Sequence, residues 1–218
     1  MTSFKVIYFG SLFVAVILHE VSHGVVALFY GDDTAKRAGR LTLNPIPHID
    51  PFGSILLPAM AVLANLPVLG WAKPVPVTPG RLRDPRRQML YVGLVGPATN
   101  FVLMMISAIG ARLLYEPTIS FGGNVYLGDF LERQSLGFQV LFLFALVNLF
   151  LGVFNLLPIP PLDGSSLIER VLPARWLPTW WKIRPYGFLI LFLALFYVDF
   201  LGTIIRPFQR VLIEFVVA

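Results

Sequence analysis

The sequence predicts an all-α polytopic membrane protein of about five to six transmembrane helices. A short membrane-associated β-strand or hairpin and Pro-rich re-entrant loops complete the expected fold. Three observations lead there. Of 218 residues, 56% are hydrophobic and only 13% charged, whereas a soluble domain carries about 25% charged residues. Long stretches carry no charge at all: 22 residues from Pro51 to Ala72, 24 from Gln88 to Ala111 and 29 from Gln134 to Leu162. A spanning helix needs roughly 20. Eighteen prolines and 18 glycines exceed what a plain helical bundle uses, so irregular backbone is built in. This composition excludes a disordered chain, a coiled coil and an ordinary cytosolic enzyme.

The elements follow in order. The first apolar run, Phe4 to Tyr30, is longer than the roughly 7–15-residue core of a signal peptide and has no small-residue cleavage site. It reads as a retained span over 4–30. A second span over 52–69 is interrupted by Pro58 and Pro67, which makes it kinked or re-entrant. Further spans are expected at 89–114, 136–156 and 186–205, with a short helix at membrane depth between Leu162 and Leu172. Between the first two spans, Arg40 to Asn44 alternates polar and apolar residues, the period of a half-buried strand. Gly70 to Gly80 holds three prolines and suits an extended segment. Trp176, Trp180 and Trp181 precede the last span, where an interfacial belt would sit. The whole chain, 1–218, is expected to be one integral-membrane domain with a core at about 4–170 and a C-terminal span. Neither a preceding span nor an appended domain is expected.

The net charge of +5 does not point to nucleic acid, because the basic residues cluster between apolar runs. Four arginines lie in Arg81 to Arg87 alone. Anchoring to the headgroups of a lipid bilayer explains them. Five spans put ten basic residues on the N-terminal side against about seven opposite, which favours a cytoplasmic N-terminus. The absence of cysteine removes disulfides, thiolate metal sites and a Cys nucleophile.

Chemistry enters at His19-Glu20-Val21-Ser22-His23, an HExxH motif inside the first span. Residues i and i+4 share a helix face, so two imidazoles can grip one metal ion, with Glu20 beside it as a base for water. Random order of this composition gives the pattern in on the order of one chain in a thousand. Ionisable groups in an apolar helix are kept mainly for a function or a partner. The alternative is a buried pair of histidines in a polar helix contact with Glu20 as counter-ion. A catalytic zinc site takes three protein ligands and an open position. His48, Asp50 and Asp163 are candidates for the third. Asp163 lies where Pro158, Pro160 and Pro161 break the helix, and it suits either a ligand or a cap for a helix starting at Gly164. Asp50, before Pro51, reads as a turn or helix-start residue.

Three segments together resemble the site-2 protease family of intramembrane zinc metalloproteases. They are the HExxH helix, Gly96-Pro97-Ala98-Thr99-Asn100, and Asn155 to Gly164 with its NxxPxPPLDG pattern. The segments Asn44 to Gly53 and Gly70 to Pro74 bring it closest to small bacterial members without PDZ or CBS domains. The resemblance covers roughly residues 10–170. It implies one Zn2+ per chain held by His19, His23 and Asp163, with Glu20 as catalytic base and Asn155 supporting the oxyanion or the substrate. Asn100 would pack against the catalytic helix, and His48 would line the cleft or be satisfied at its interface. The implied activity is hydrolysis of peptide bonds within or near transmembrane segments of a membrane-protein substrate, in a bacterial cell membrane. The Arg40–Asn44 strand would receive an unwound substrate by edge pairing. A non-proteolytic zinc transporter or zinc-dependent membrane scaffold is the alternative, since it uses the same ligands without a base.

Overall fold

The computed structural model describes residues 2–56, 60, 63, 72–117, 127–187, 189–191, 193 and 200–218. Its helices are α1 (Thr2–Phe29), α2 (Thr34–Arg37), α3 (Pro85–Leu113), α4 (Leu127–Glu132), α5 (Leu136–Asn155), α6 (Ser165–Val171), α7 (Leu177–Ile183) and α8 (Phe200–Val217). Local chemistry sets their ends. The Asp84 side chain accepts the Arg87 N–H at 3.3 Å and Pro85 occupies the first helical position of α3, where its missing N–H costs nothing. Ser135 caps α5 by accepting the Phe138 N–H at 3.3 Å. The prolines after Asn155 stop α5.

Three helices among the described residues are long and apolar enough to cross a membrane: Phe4–Phe29, Pro85–Leu113 and Leu136–Asn155. They match the first, third and fourth expected spans and pack mutually. Of the expected span at 52–69, a π-helical turn over Pro51–Leu56 is described; Pro58 and Pro67 lie outside the described residues. Of the expected 186–205 span, residues 188, 192 and 194–199, with Asp199 among them, lie outside them too. Past 205 the chain continues in α8 to Val217, because Ile205, Leu212 and Val216 form one buried stripe against α3 and α5. The short helix expected near Leu162–Leu172 is α6.

The buried core joins Phe130, Phe138 and Phe142 to Leu143, Leu149 and the α8 stripe. Phe138 stacks on Phe142 at 5.3 Å and meets Phe130 edge-on at 5.9 Å. The outward faces are equally apolar: Val6, Phe9, Phe13, Val25 and Phe29 on α1, with Val102, Met105, Ile106 and Ile109 on α3, are exposed. Such surfaces belong in lipid, where hydrophobic burial no longer separates inside from outside. Close packing and polar links between helices then hold the bundle.

No strand occurs among the described residues, so the expected strand at Arg40–Asn44 is not formed. Its polar side chains turn the backbone instead. The Asn44 N–H donates to Thr42 Oγ1 and the Ile46 N–H to Asn44 Oδ1, both at 3.1 Å. Such local bonds compete with a ladder. Arg40 is buried, and its guanidinium donates to the carbonyls of Pro47, Lys73 and Pro74. The expected extended segment is present from residue 72, and this strap lies along the C-terminal half of α1. The Lys73 N–H donates to His48 O at 2.9 Å, the Val75 N–H to Glu20 Oε2 at 2.6 Å and the Thr78 N–H to Asp32 Oδ2 at 2.5 Å.

Asp32, fully buried just past α1, also accepts the Thr34 N–H at 3.0 Å and the Thr34 hydroxyl. Burial pushes its carboxyl up. The Thr34 hydroxyl, the N–H groups of Thr78 and Thr34, and the Arg81 charge outweigh that and hold it below its ordinary value. Asp32→Asn places an amide donor against one of these donors and should lower stability by about 1–3 kcal/mol. A depressed folded pKa means that the stabilisation is present above about pH 4 and is lost as pH falls through the folded value. Thermal unfolding in detergent should show this acid-side loss in the wild type and not in Asp32→Asn. Identical melting of the two at every pH contradicts the clamp.

Candidate metal centre

The HExxH residues lie in the C-terminal half of α1, where their i, i+4 spacing puts His19 and His23 on one face. Both are buried, and their Nε2 atoms are 3.1 Å apart. Asp163 arrives from the proline-rich loop after α5. Its Oδ2 lies 3.0 Å from His19 Nε2 and 3.3 Å from His23 Nε2. The loop closes on its own base, with the Gly164 N–H donating to Asn155 O at 2.7 Å. The start of α6 carries no side-chain cap, so the Asp163 carboxylate faces the histidines and not the helix end. His19, His23 and Asp163 form the one group of three or more potential metal-binding side chains found among the described residues.

The other nitrogen of each imidazole is occupied. His19 Nδ1 lies 2.5 Å from Asn100 Oδ1, and His23 Nδ1 lies 2.6 Å from Val92 O. A ring that donates Nδ1–H presents a bare Nε2 lone pair. Asp163 Oδ2 is buried without a hydrogen-bond donor. Three potential ligand atoms therefore converge on one place, which a divalent cation can fill as their common partner. Two imidazoles, one carboxylate and no thiolate suit zinc with an open fourth position. The residues present fit the metal.

Two glycines on α3 let this cluster form. A Cβ on Gly96 would strike the His23 ring nitrogen Nε2 and lie 2.6 Å from His19 Cε1 and 2.6 Å from His23 Cε1. A Cβ on Gly93, one turn earlier, would strike the Ser166 hydroxyl and lie 3.2 Å from Asp163 O. Gly96 thus makes room for the histidines, and Gly93 for the turn that carries the carboxylate.

The remaining expected residues separate. Glu20 is half-buried next to His19, with its carboxylate held by the strap's Val75 N–H. Asn155 donates through Nδ2 to Leu151 O at 3.0 Å. Asn100 is fully buried and bonded to His19, closer to the centre than helix packing alone implies. His48 is outside the cluster. It is buried with Nε2 2.9 Å from Thr42 O, while its own carbonyl accepts from Lys73. Asp50 Oδ1 accepts the N–H groups of Phe52 and Gly53 at 3.0 and 2.7 Å, the expected turn. Sequence reading passed over Asn148, fully buried on α5, whose Oδ1 accepts from Asn100 Nδ2 at 2.8 Å. Its signal was a primary amide deep in an apolar run.

Comparison with known proteins agrees with the geometry. The chain is 37% identical over 198 residues to YwhC of Bacillus subtilis (strain 168), named as a candidate zinc metalloprotease; the match covers 90% of this chain and 83% of YwhC. It is 31% identical over 181 residues to Rip2 of Mycolicibacterium smegmatis (strain ATCC 700084 / mc(2)155), also named as a candidate zinc metalloprotease, covering 82% of this chain and 62% of Rip2. Zinc metalloprotease MJ0392 of Methanocaldococcus jannaschii is 26% identical over 173 residues, covering 79% of this chain and 36% of that protein. No solved structure matches. The model of peptidase family M50 matches residues 7–196, a range that takes in the HExxH part of α1, both α3 glycines and the Asp163 loop, and the chain belongs to that family.

Proposed function

We propose that the chain is an intramembrane zinc metalloprotease in which His19, His23 and Asp163 hold one zinc ion and Glu20 is the general base. The reaction is hydrolysis of peptide bonds within or near transmembrane segments of membrane-protein substrates, by a multi-pass protein of the bacterial cell membrane. The observation that carries the reading is the convergence of three candidate ligand atoms from two distant segments within 4.8 Å, beside a carboxylate that is not one of them.

When bound, zinc supplies Lewis acidity toward the scissile carbonyl and the attacking water. Glu20 takes a proton from the water as its oxygen adds to the carbonyl carbon. It then delivers that proton to the leaving nitrogen as the C–N bond breaks. The Val75 N–H at 2.6 Å orients the carboxylate for this. Asn155 uses one amide N–H on Leu151 O, and its second is assigned to the developing oxyanion or the substrate backbone. A helical substrate must unwind before its amides are accessible.

Two outcomes follow. Glu20→Gln should cut cleavage of a tagged single-span membrane-protein substrate by about 10²–10⁴-fold while purified protein keeps its zinc by metal analysis. Undiminished cleavage contradicts the mechanism, and zinc flux into proteoliposomes that survives Glu20→Gln would favour a transporter. Gly96→Ala should lower zinc content and cleavage together, because its methyl group occupies the space of both rings. Full zinc occupancy in Gly96→Ala contradicts the placement of α3 against the site.

A further inference from the structure

We infer that Asn148 is a positioning residue that sets the protonation pattern of His19 from two helices away, through the Asn100 amide. The inference rests on the zinc reading above and adds a residue to it. The direction of each link is fixed by chemistry. The Phe144 backbone carbonyl can only accept, so the Asn148 group 2.8 Å from it is the Nδ2 amide. Asn148 therefore turns its Oδ1 toward Asn100, which must answer with Nδ2, at 2.8 Å. That leaves Asn100 Oδ1 facing His19 Nδ1 at 2.5 Å. An amide oxygen can only accept, so the proton sits on Nδ1 and the Nε2 lone pair points at Asp163 and His23. Reversing either amide sets donor against donor or acceptor against acceptor.

The relay runs from α5 through α3 to α1, and both asparagines are fully buried. No water is needed to complete it, since each polar group between the helices is matched by another. The two histidines are thus secured by different means. His23 Nδ1 meets the Val92 carbonyl directly, and a helix carbonyl cannot rotate. His19 meets an amide that could turn over, and Asn148 is what prevents it. Without Asn148 the Asn100 amide is free to rotate and donate to Nδ1. That moves the imidazole proton to Nε2 and removes the lone pair from the site.

The test is zinc affinity, measured by chelator competition on purified full-length protein, with cleavage as a separate readout. Asn148→Leu should bind zinc about 10–100-fold more weakly, and Asn148→Ala carries the same expectation with less steric demand. In an Asn100→Asp background either carboxylate oxygen accepts from His19, so adding Asn148→Leu or Asn148→Ala should cost no further affinity. Nitrogen-15 NMR of the zinc-free protein should show His19 protonated on Nδ1 in the wild type and shifted toward Nε2 in Asn148→Ala. Wild-type affinity in both Asn148→Leu and Asn148→Ala overturns the relay, as does the same loss in both backgrounds. Zinc binding that survives His19→Ala overturns the metal assignment itself. Loss in His19→Ala with none in the Asn148 variants removes only the relay.

Discussion

Three polar ligand atoms held together at the centre of an apolar bundle are the constraint on which the rest of this structure depends. The Nε2 atoms of His19 and His23 and Oδ2 of Asp163 lie 3.0–3.3 Å apart, although they come from two distant segments of the chain. The chain must hold each one in place. Both imidazoles are anchored at their far nitrogens. The carboxylate is carried on a turn that closes through Gly164 onto Asn155. Helix α3 passes so close that Gly93 and Gly96 leave room only for hydrogen. In lipid, where exposing an apolar side chain costs little, such polar links and close contacts carry much of what hydrophobic burial does in water.

The segments between the helices do the same for the proposed base. The strap from residue 72 to Thr78 has backbone N–H groups given to His48 O, Glu20 and Asp32. Arg40 binds the Lys73 carbonyl and, more weakly, the Pro74 carbonyl of the peptide whose N–H holds Glu20. A buried guanidinium without a carboxylate beside it is expensive. Here backbone carbonyls from two separate stretches of chain share it, so its position couples the 44–50 turn, the strap and the C-terminal half of α1. Glu20 is thereby oriented by main chain, while the proposed metal ligands are oriented by side-chain amides, a carbonyl and a loop.

Much of this was readable before any coordinates. The charge-free runs marked α1, α3 and α5 because membrane helices must be long and apolar. The HExxH spacing marked His19, Glu20 and His23 because i and i+4 share a helix face. Asp163 emerged as a candidate from its place beside three prolines, though its choice over a cap required the family resemblance. Other features depend on partners that sequence does not display. The alternation at Arg40–Asn44 has the period of a strand, but Thr42 and Asn44 spend their side chains on local turns. The expected last span ended at 205, yet a stripe at Ile205, Leu212 and Val216, spaced seven and four residues apart, finds α3 and α5 to pack against. Asn148 was passed over, because its meaning lies in Asn100 on another helix. Asp32 and the two α3 glycines are of the same kind.

The most direct measurement of the central claim is zinc K-edge X-ray absorption on the purified protein. The chain has three histidines and no cysteine, so the number of imidazoles around the metal identifies the site almost by itself. The account predicts two imidazoles and light oxygen scatterers, with an unchanged imidazole count in His48→Ala. A third imidazole that disappears in His48→Ala, or a bound metal with no imidazole, would contradict it.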